Sequence, residues 1–172
     1  MKIDLRGAYF IPSIVTLALL MGSTLTFAGD RAVATLTINA AVQARAKLIL
    51  STNTINFPDA DPDTTPSIPA LENTVSVTVK VRTASSSMAT LTHQAASRLT
   101  SGKDHIPINH IKWTATGAGF SSGTMSRVNA KKVGTWTGPG SHSGALSFTL
   151  ANSWEYATGT YTASSTFTLT AP

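Results

Sequence analysis

The chain has 172 residues, no cysteine, 12% charged residues and a formal net charge of +5. Without thiols there is no disulfide framework, no zinc–thiolate site and no thiol catalysis, so the fold must be held by burial alone. A domain of about 150 residues can do this, burying roughly 68–70% of its extended-chain surface.

At the start, Lys2 and Arg6 precede an apolar run from Ala8 to Leu20, broken by Pro12, Ser13 and Thr16. Thr26 and Ala28 supply small residues at the −3 and −1 positions of a cleavage site. This order predicts a secretory signal peptide over 1–28, cut after Ala28, and a secreted or cell-surface product. The competing reading, a membrane anchor, needs about 20 apolar residues without such interruptions. No later segment is apolar enough to span a membrane. The expected organisation is a signal peptide (1–28), an N-terminal extension with a donor-type strand and link (29–47), and one domain (48–172).

Strand periodicity dominates the chain beyond Ala28. In residues 33–42, Ala34, Leu36, Ile38, Ala40 and Val42 share one face, while Thr35, Thr37 and Asn39 share the other; that alternation predicts a half-buried strand. Leu48–Leu50 and Ile55–Phe57 are short apolar segments. Residues 58–70 hold four prolines and three aspartates, and read as a loop. Over Thr74–Arg82, four valines at every second position predict a core strand. Met88–His93 is a further strand anchored by Leu91, and Ser101–Asp104 is a turn. Ile111–Ala115, Lys132–Thr137 and Leu146–Leu150 are the next strands. In the second of these, Val133 and Trp136 are oddly spaced, which predicts a bulge or an edge. In the last stretch Tyr161, Ala163, Ser165, Phe167, Leu169 and Ala171 face one way, and hydroxyl side chains the other. Several short strands separated by turns predict an all-β, immunoglobulin-like β-sandwich.

Candidate chemistry is sparse. Asp59, Asp61 and Asp63 have the spacing that opens a calcium loop, but Thr64 and Ala70 stand where the glycine and the bidentate glutamate belong, and Pro62 stiffens the segment. The loop is read as a solvated turn, with no metal or other cofactor assigned. Gly119–Gly123 matches G-x-S-x-G, a motif that requires a helix immediately after it, and no helical pattern is present there. The four histidines are dispersed and form no metal-binding helix motif; His105 and His110 read as exposed. Glu72 and Glu155 mark no glycosidase pair. Trp113, Trp136 and Trp154 are read as packing residues. The basic residues are scattered, with only Lys131 and Lys132 adjacent, which argues against a nucleic-acid partner. No enzyme is expected.

The two most regular strands lie near the two ends. A sandwich lacking one edge strand is a template for another chain, and an alternating segment can complete it by β-augmentation. Ala34, Leu36, Ile38, Ala40 and Val42 are the candidate donor residues. Tyr161, Phe167 and Leu169 of the last strand are candidates for the acceptor side. The stretch Leu36–Leu50 resembles the start of the cysteine-free major subunits of class 5 fimbriae, and Gly159–Thr170 resembles the closing strand of chaperone–usher pilins. The combination of Ile55-Asn-Phe57 with the terminal strand is also similar to spore-coat-U-like secreted domains. The resemblance implies passage through the periplasm, capture by a periplasmic chaperone, assembly at an outer-membrane usher, and self-association into a fibre by donor-strand exchange. The alternative is a stand-alone surface or coat domain that binds a cell-wall polymer or a protein partner, with 33–42 folded into its own sheet.

Overall fold

A computed structural model describes residues 32–172; the expected signal peptide lies outside the described residues. Contacts divide the chain after Asn39. Residues 33–43 lie in no strand, and Val33, Leu36, Ile38 and Val42 are exposed. The strand expected over 33–42 is therefore not formed in the single chain. Alternation defines a face, but a strand also needs a partner edge to take its hydrogen bonds.

From Arg45 onward the described chain is built from strands. They are β1 (Arg45–Leu50), β2 (Ser67–Pro69), β3 (Val75–Arg82), β4 (Met88–Ala95), β5 (Leu99–Ser101), β6 (Asp104–Ile106), β7 (Ile111–Thr116), β8 (Gly123–Thr124), β9 (Lys131–Thr137), β10 (Gly140–Ala151) and β11 (Ser165–Thr170). A single 3-10 turn, Ile108–His110, precedes β7. One sheet runs β1-β3-β10-β7-β8, with β2 on β10 beyond β3. The second runs β11-β4-β9, and β5 and β6 form a hairpin. Every pairing is antiparallel. The order β1-β3-β10-β7 opposite β4 and β11 is the A-B-E-D against C-F arrangement of an immunoglobulin-like sandwich.

β3 shows why the sheets close on each other. Val75, Val77, Val79 and Val81 are buried while Ser76, Lys80 and Arg82 are exposed, so the period of two puts one face in the core. Opposite and beside them pack Leu91, Trp113, Val133, Leu146 and Phe148. Each such side chain contributes roughly 1.5–3 kcal/mol on full burial.

The irregular spacing in β9 has a register cause. Leu91 pairs with Gly134 and Thr92 with Lys132, so Val133 is the extra residue of a bulge. The bulge turns Val133 inward, and it and Trp136 are both buried. Gly134 lies against the Trp136 ring, where a Cβ would collide.

Three expectations need correction. The proline-rich stretch 58–70 is not all loop, because β2 pairs with the end of β10. The last strand begins at Ser165 rather than near Thr160, since β4 ends at Ala95, opposite Ser165, and offers no ladder beyond it; upstream only the Thr100–Thr162 bridge remains. Trp154 is 70% exposed, with its indole N–H donating to Asp63 Oδ1 at 3.1 Å. Trp113 and Trp136 do pack inside, each donating to a main-chain carbonyl at 2.9 Å, Ser121 and Ala118 respectively.

Candidate functional site

The sandwich is sealed along β3 and β4 but not at the rim where β1 and β11 approach each other. These two strands are edges of different sheets and do not pair together. Their inward residues, Leu48 and Leu50 on β1 with Phe167 and Leu169 on β11, touch the core yet are only half-buried. By contrast, Val77, Val79, Leu91 and Leu146 are fully enclosed. β1 pairs with β3 through its whole length and β11 with β4, so each has spent one edge on its own sheet. The other edge of each carries backbone groups directed toward the rim.

A groove of about 900 Å3 lies between residues 54–62, downstream of β1, and residues 156–165, which lead into β11. Ile68, Leu99, Ile106, Ile111, Met125 and Leu150 line it. Ile55 and Phe57 on one wall, with Tyr156 and Tyr161 on the other, pack partly against the core. Hydrogen bonds fix the walls. Glu72 accepts from the Asn56 N–H at 2.8 Å and from its side-chain amide at 2.7 Å, which holds the Glu72 carboxyl below its ordinary pKa. Asn152 Nδ2 donates to the carbonyls of Ala60 and Thr65 at 2.9 and 3.1 Å. Tyr156 O–H donates to the Ala151 carbonyl at 3.0 Å, and Tyr161 O–H to that of Ala157 at 2.8 Å. Burial first, then the neighbouring Glu155 carboxylate, pushes the Tyr156 hydroxyl up.

Of the acceptor-side residues expected from the sequence, Tyr161 lines the groove, while Phe167 and Leu169 lie along the rim outside it. Ala34, Leu36, Ile38, Ala40 and Val42 are exposed. Two of the three loop aspartates, Asp61 and Asp63, are engaged locally. Asp61 Oδ1 accepts from the Asp63 N–H at 2.9 Å, its carbonyl accepts from the Thr65 N–H at 2.8 Å, and Asp63 receives Trp154. No group of three acidic or histidine side chains is placed to hold a metal among the described residues. Ser121 is succeeded by β8 rather than by a helix, and its main chain bonds Val133 and Trp113.

One buried group was not singled out from the sequence, although the period of two places it on the Leu91 face of its strand. His93, on β4, is 1% exposed, and neither ring nitrogen has a hydrogen-bond partner among the described residues. It lies 4.4 Å from the Phe167 ring and 5.6 Å from that of Trp113, centroid to centroid. Burial lowers its pKa to about 4.

No helix among the described residues is long and apolar enough to cross a membrane. The chain matches no protein-family model and no curated protein.

Proposed function

We propose that the chain is a structural subunit of an extracellular surface fibre, in which residues 33–42 of one copy complete the sandwich of the next. The observation that carries this reading is the rim between β1 and β11: two edges that do not pair together, with half-buried apolar side chains beneath them. The occupant suggested is a second copy of this chain, because its own 33–42 segment supplies what the rim needs. Leu36, Ile38 and Val42 alternate with polar residues, are 71–83% exposed, and lie in no strand. Burying them would contribute roughly 1.5–3 kcal/mol each, and the main chain would take up the unpaired edge groups. Donor and acceptor are different surfaces, so the contact does not close on itself and propagates as a fibre.

Export through a cleaved signal peptide, protection of the open rim by a periplasmic chaperone and assembly at an outer-membrane usher are parts of the same proposal. A rim left open during export is an aggregation hazard, which is the physical need for a capping partner.

The test is deletion of residues 30–42. The shortened protein should remain monomeric by size-exclusion chromatography, and a synthetic peptide of residues 33–42 should bind it and raise its Tm. The same peptide with Leu36 and Ile38 changed to Asp should do neither. A shortened protein that still polymerises, or one that ignores the wild-type peptide, refutes the reading.

A further inference from the structure

A second concavity, of about 590 Å3, opens beside the β5–β6 hairpin. Four basic side chains reach it from four separate stretches: Arg98 just before β5, His105 on β6, Arg127 between β8 and β9, and Lys131 at the start of β9. No carboxylate is among its described lining residues. Asp104 neighbours His105 in sequence, but successive side chains of a strand point to opposite faces. The buried Ile108 and Met125 give the concavity an apolar base, the exposed Pro107 and Val128 also line it, and Asn109, Thr124 and Ser126 add short hydrogen-bonding groups.

The loop that presents Arg127 is tied down. The Ala95 N–H donates to the Ser126 carbonyl at 3.0 Å, and Gln94 Nε2 to the Arg127 carbonyl at 3.1 Å. Ser126 Oγ in turn accepts from the N–H groups of Val128 and Asn129 at 3.3 and 3.2 Å. The guanidinium therefore starts from a fixed backbone, which lowers the ordering cost of binding.

These parts have one chemical reading. Guanidinium forks pair bidentately with carboxylate or sulfate groups. An apolar base suits the C–H face of a sugar ring, and short polar side chains suit its hydroxyls. The volume lies within the range of small-ligand sites. No Phe, Tyr or Trp is among its described lining residues, which leaves only the His105 ring and the guanidinium planes for stacking a nucleic-acid base. We propose that this concavity binds an anionic saccharide, with Arg98 and Arg127 holding its carboxylate or sulfate and the apolar base under the ring. The site shares only the buried Ile108 and Met125 with the groove described above, and it does not depend on the fibre reading. In a fibre it would recur once per subunit, and that repetition would multiply a weak single-site affinity.

Calorimetric titration of the full exported chain tests this, using four probes at low and moderate salt: a uronate oligosaccharide, a sulfated oligosaccharide, a neutral dextran oligosaccharide and a single-stranded oligonucleotide of matched charge. One of the two anionic saccharides should bind at least tenfold more tightly than the neutral sugar and the oligonucleotide, and which one does so identifies the acid group. Arg98→Gln and Arg127→Gln should each weaken that binding at least tenfold with Tm unchanged, since both side chains are exposed. Arg127→Lys should fall between, keeping charge but losing the fork. Lys47→Gln and Lys80→Gln, on β1 and β3, should leave binding unchanged. Should Arg127→Gln fail to fold, Arg98→Gln carries the comparison. Equal binding of the oligonucleotide or the neutral sugar, equal loss in the β1 and β3 controls, or no saccharide binding at millimolar concentration overturns the proposal.

Discussion

Lowering the pH from 7.5 to 4.5 places a specific load on this sandwich, because His93 is buried between Trp113 and Phe167 with neither nitrogen partnered among the described residues. In the unfolded chain its imidazole takes a proton near the ordinary value of 6.5, whereas in the folded chain burial holds this off to about 4. Above pH 6.5 both states are neutral at this site, and it has no effect. Between 6.5 and 4 the unfolded state binds more protons, so stability falls as pH falls. The difference of about 2.5 pH units, at about 1.4 kcal/mol each, gives about 3 kcal/mol once pH has passed below 4. By pH 4.5 most of that loss has appeared. It corresponds to a Tm decrease of roughly 10 °C for a domain of this size. Urea unfolding followed by tryptophan fluorescence, on wild type and His93→Leu across pH 7.5–4.5, isolates the effect. The variant removes an unpartnered polar ring and some aromatic contact, so its stability at pH 7.5 should differ from wild type by less than about 1.5 kcal/mol. The two curves should then diverge below pH 6.5, with the variant the more stable. Carboxylates such as Glu72 act at lower pH and cancel in the difference. Parallel pH profiles for the two proteins, or the His93 imidazole resonance, identified by its loss in His93→Leu, titrating near 6.5 in folded protein, would refute the reasoning.

Two further substitutions probe the packing. Gly119 has φ +82°, and a Cβ there would strike the Trp136 ring; Gly119→Ala should cost about 1–3 kcal/mol by urea unfolding and disturb the Trp136 to Ala118 hydrogen bond. Leu146→Ala, at a fully buried position of β10, should cost about 2–5 kcal/mol. Leu36→Ala, at a position 82% exposed, should change monomer stability by less than about 0.5 kcal/mol, so a larger loss in assembled material would report its burial between copies.

Local pattern carried much of the fold. β3 could be read directly because each valine lies on the buried face of a central strand, where period-two alternation and burial coincide. β7 was legible for the same reason, whereas in β9 alternation breaks and the odd spacing of Val133 and Trp136 marked a bulge. β10 was only half legible. Its first half, Gly140–Ala145, contains small and polar residues and becomes a strand because β3 lies beside it. Residues 160–164 show the converse, since their alternation is as regular as that of β11 and lacks a ladder.

The candidate sites were less legible because they depend on what converges in space. The scattered basic residues marked no site in the sequence; the β5–β6 hairpin and the segment from β8 to β9 bring Arg98, His105, Arg127 and Lys131 to one concavity. Alternation puts His93 on the Leu91 face of β4, but its enclosure came only when Phe167 of β11 and Trp113 closed over it.

The sequence alone determined that this is a cysteine-free chain of threonine-rich strands forming an all-β sandwich, because alternation and the absence of thiols are local and compositional properties. The tertiary structure decided which strands became edges, that β1 and β11 meet at a half-open rim, and which charges gather. Those outcomes arise from pairing between residues far apart in the chain, and no single stretch of sequence encodes them.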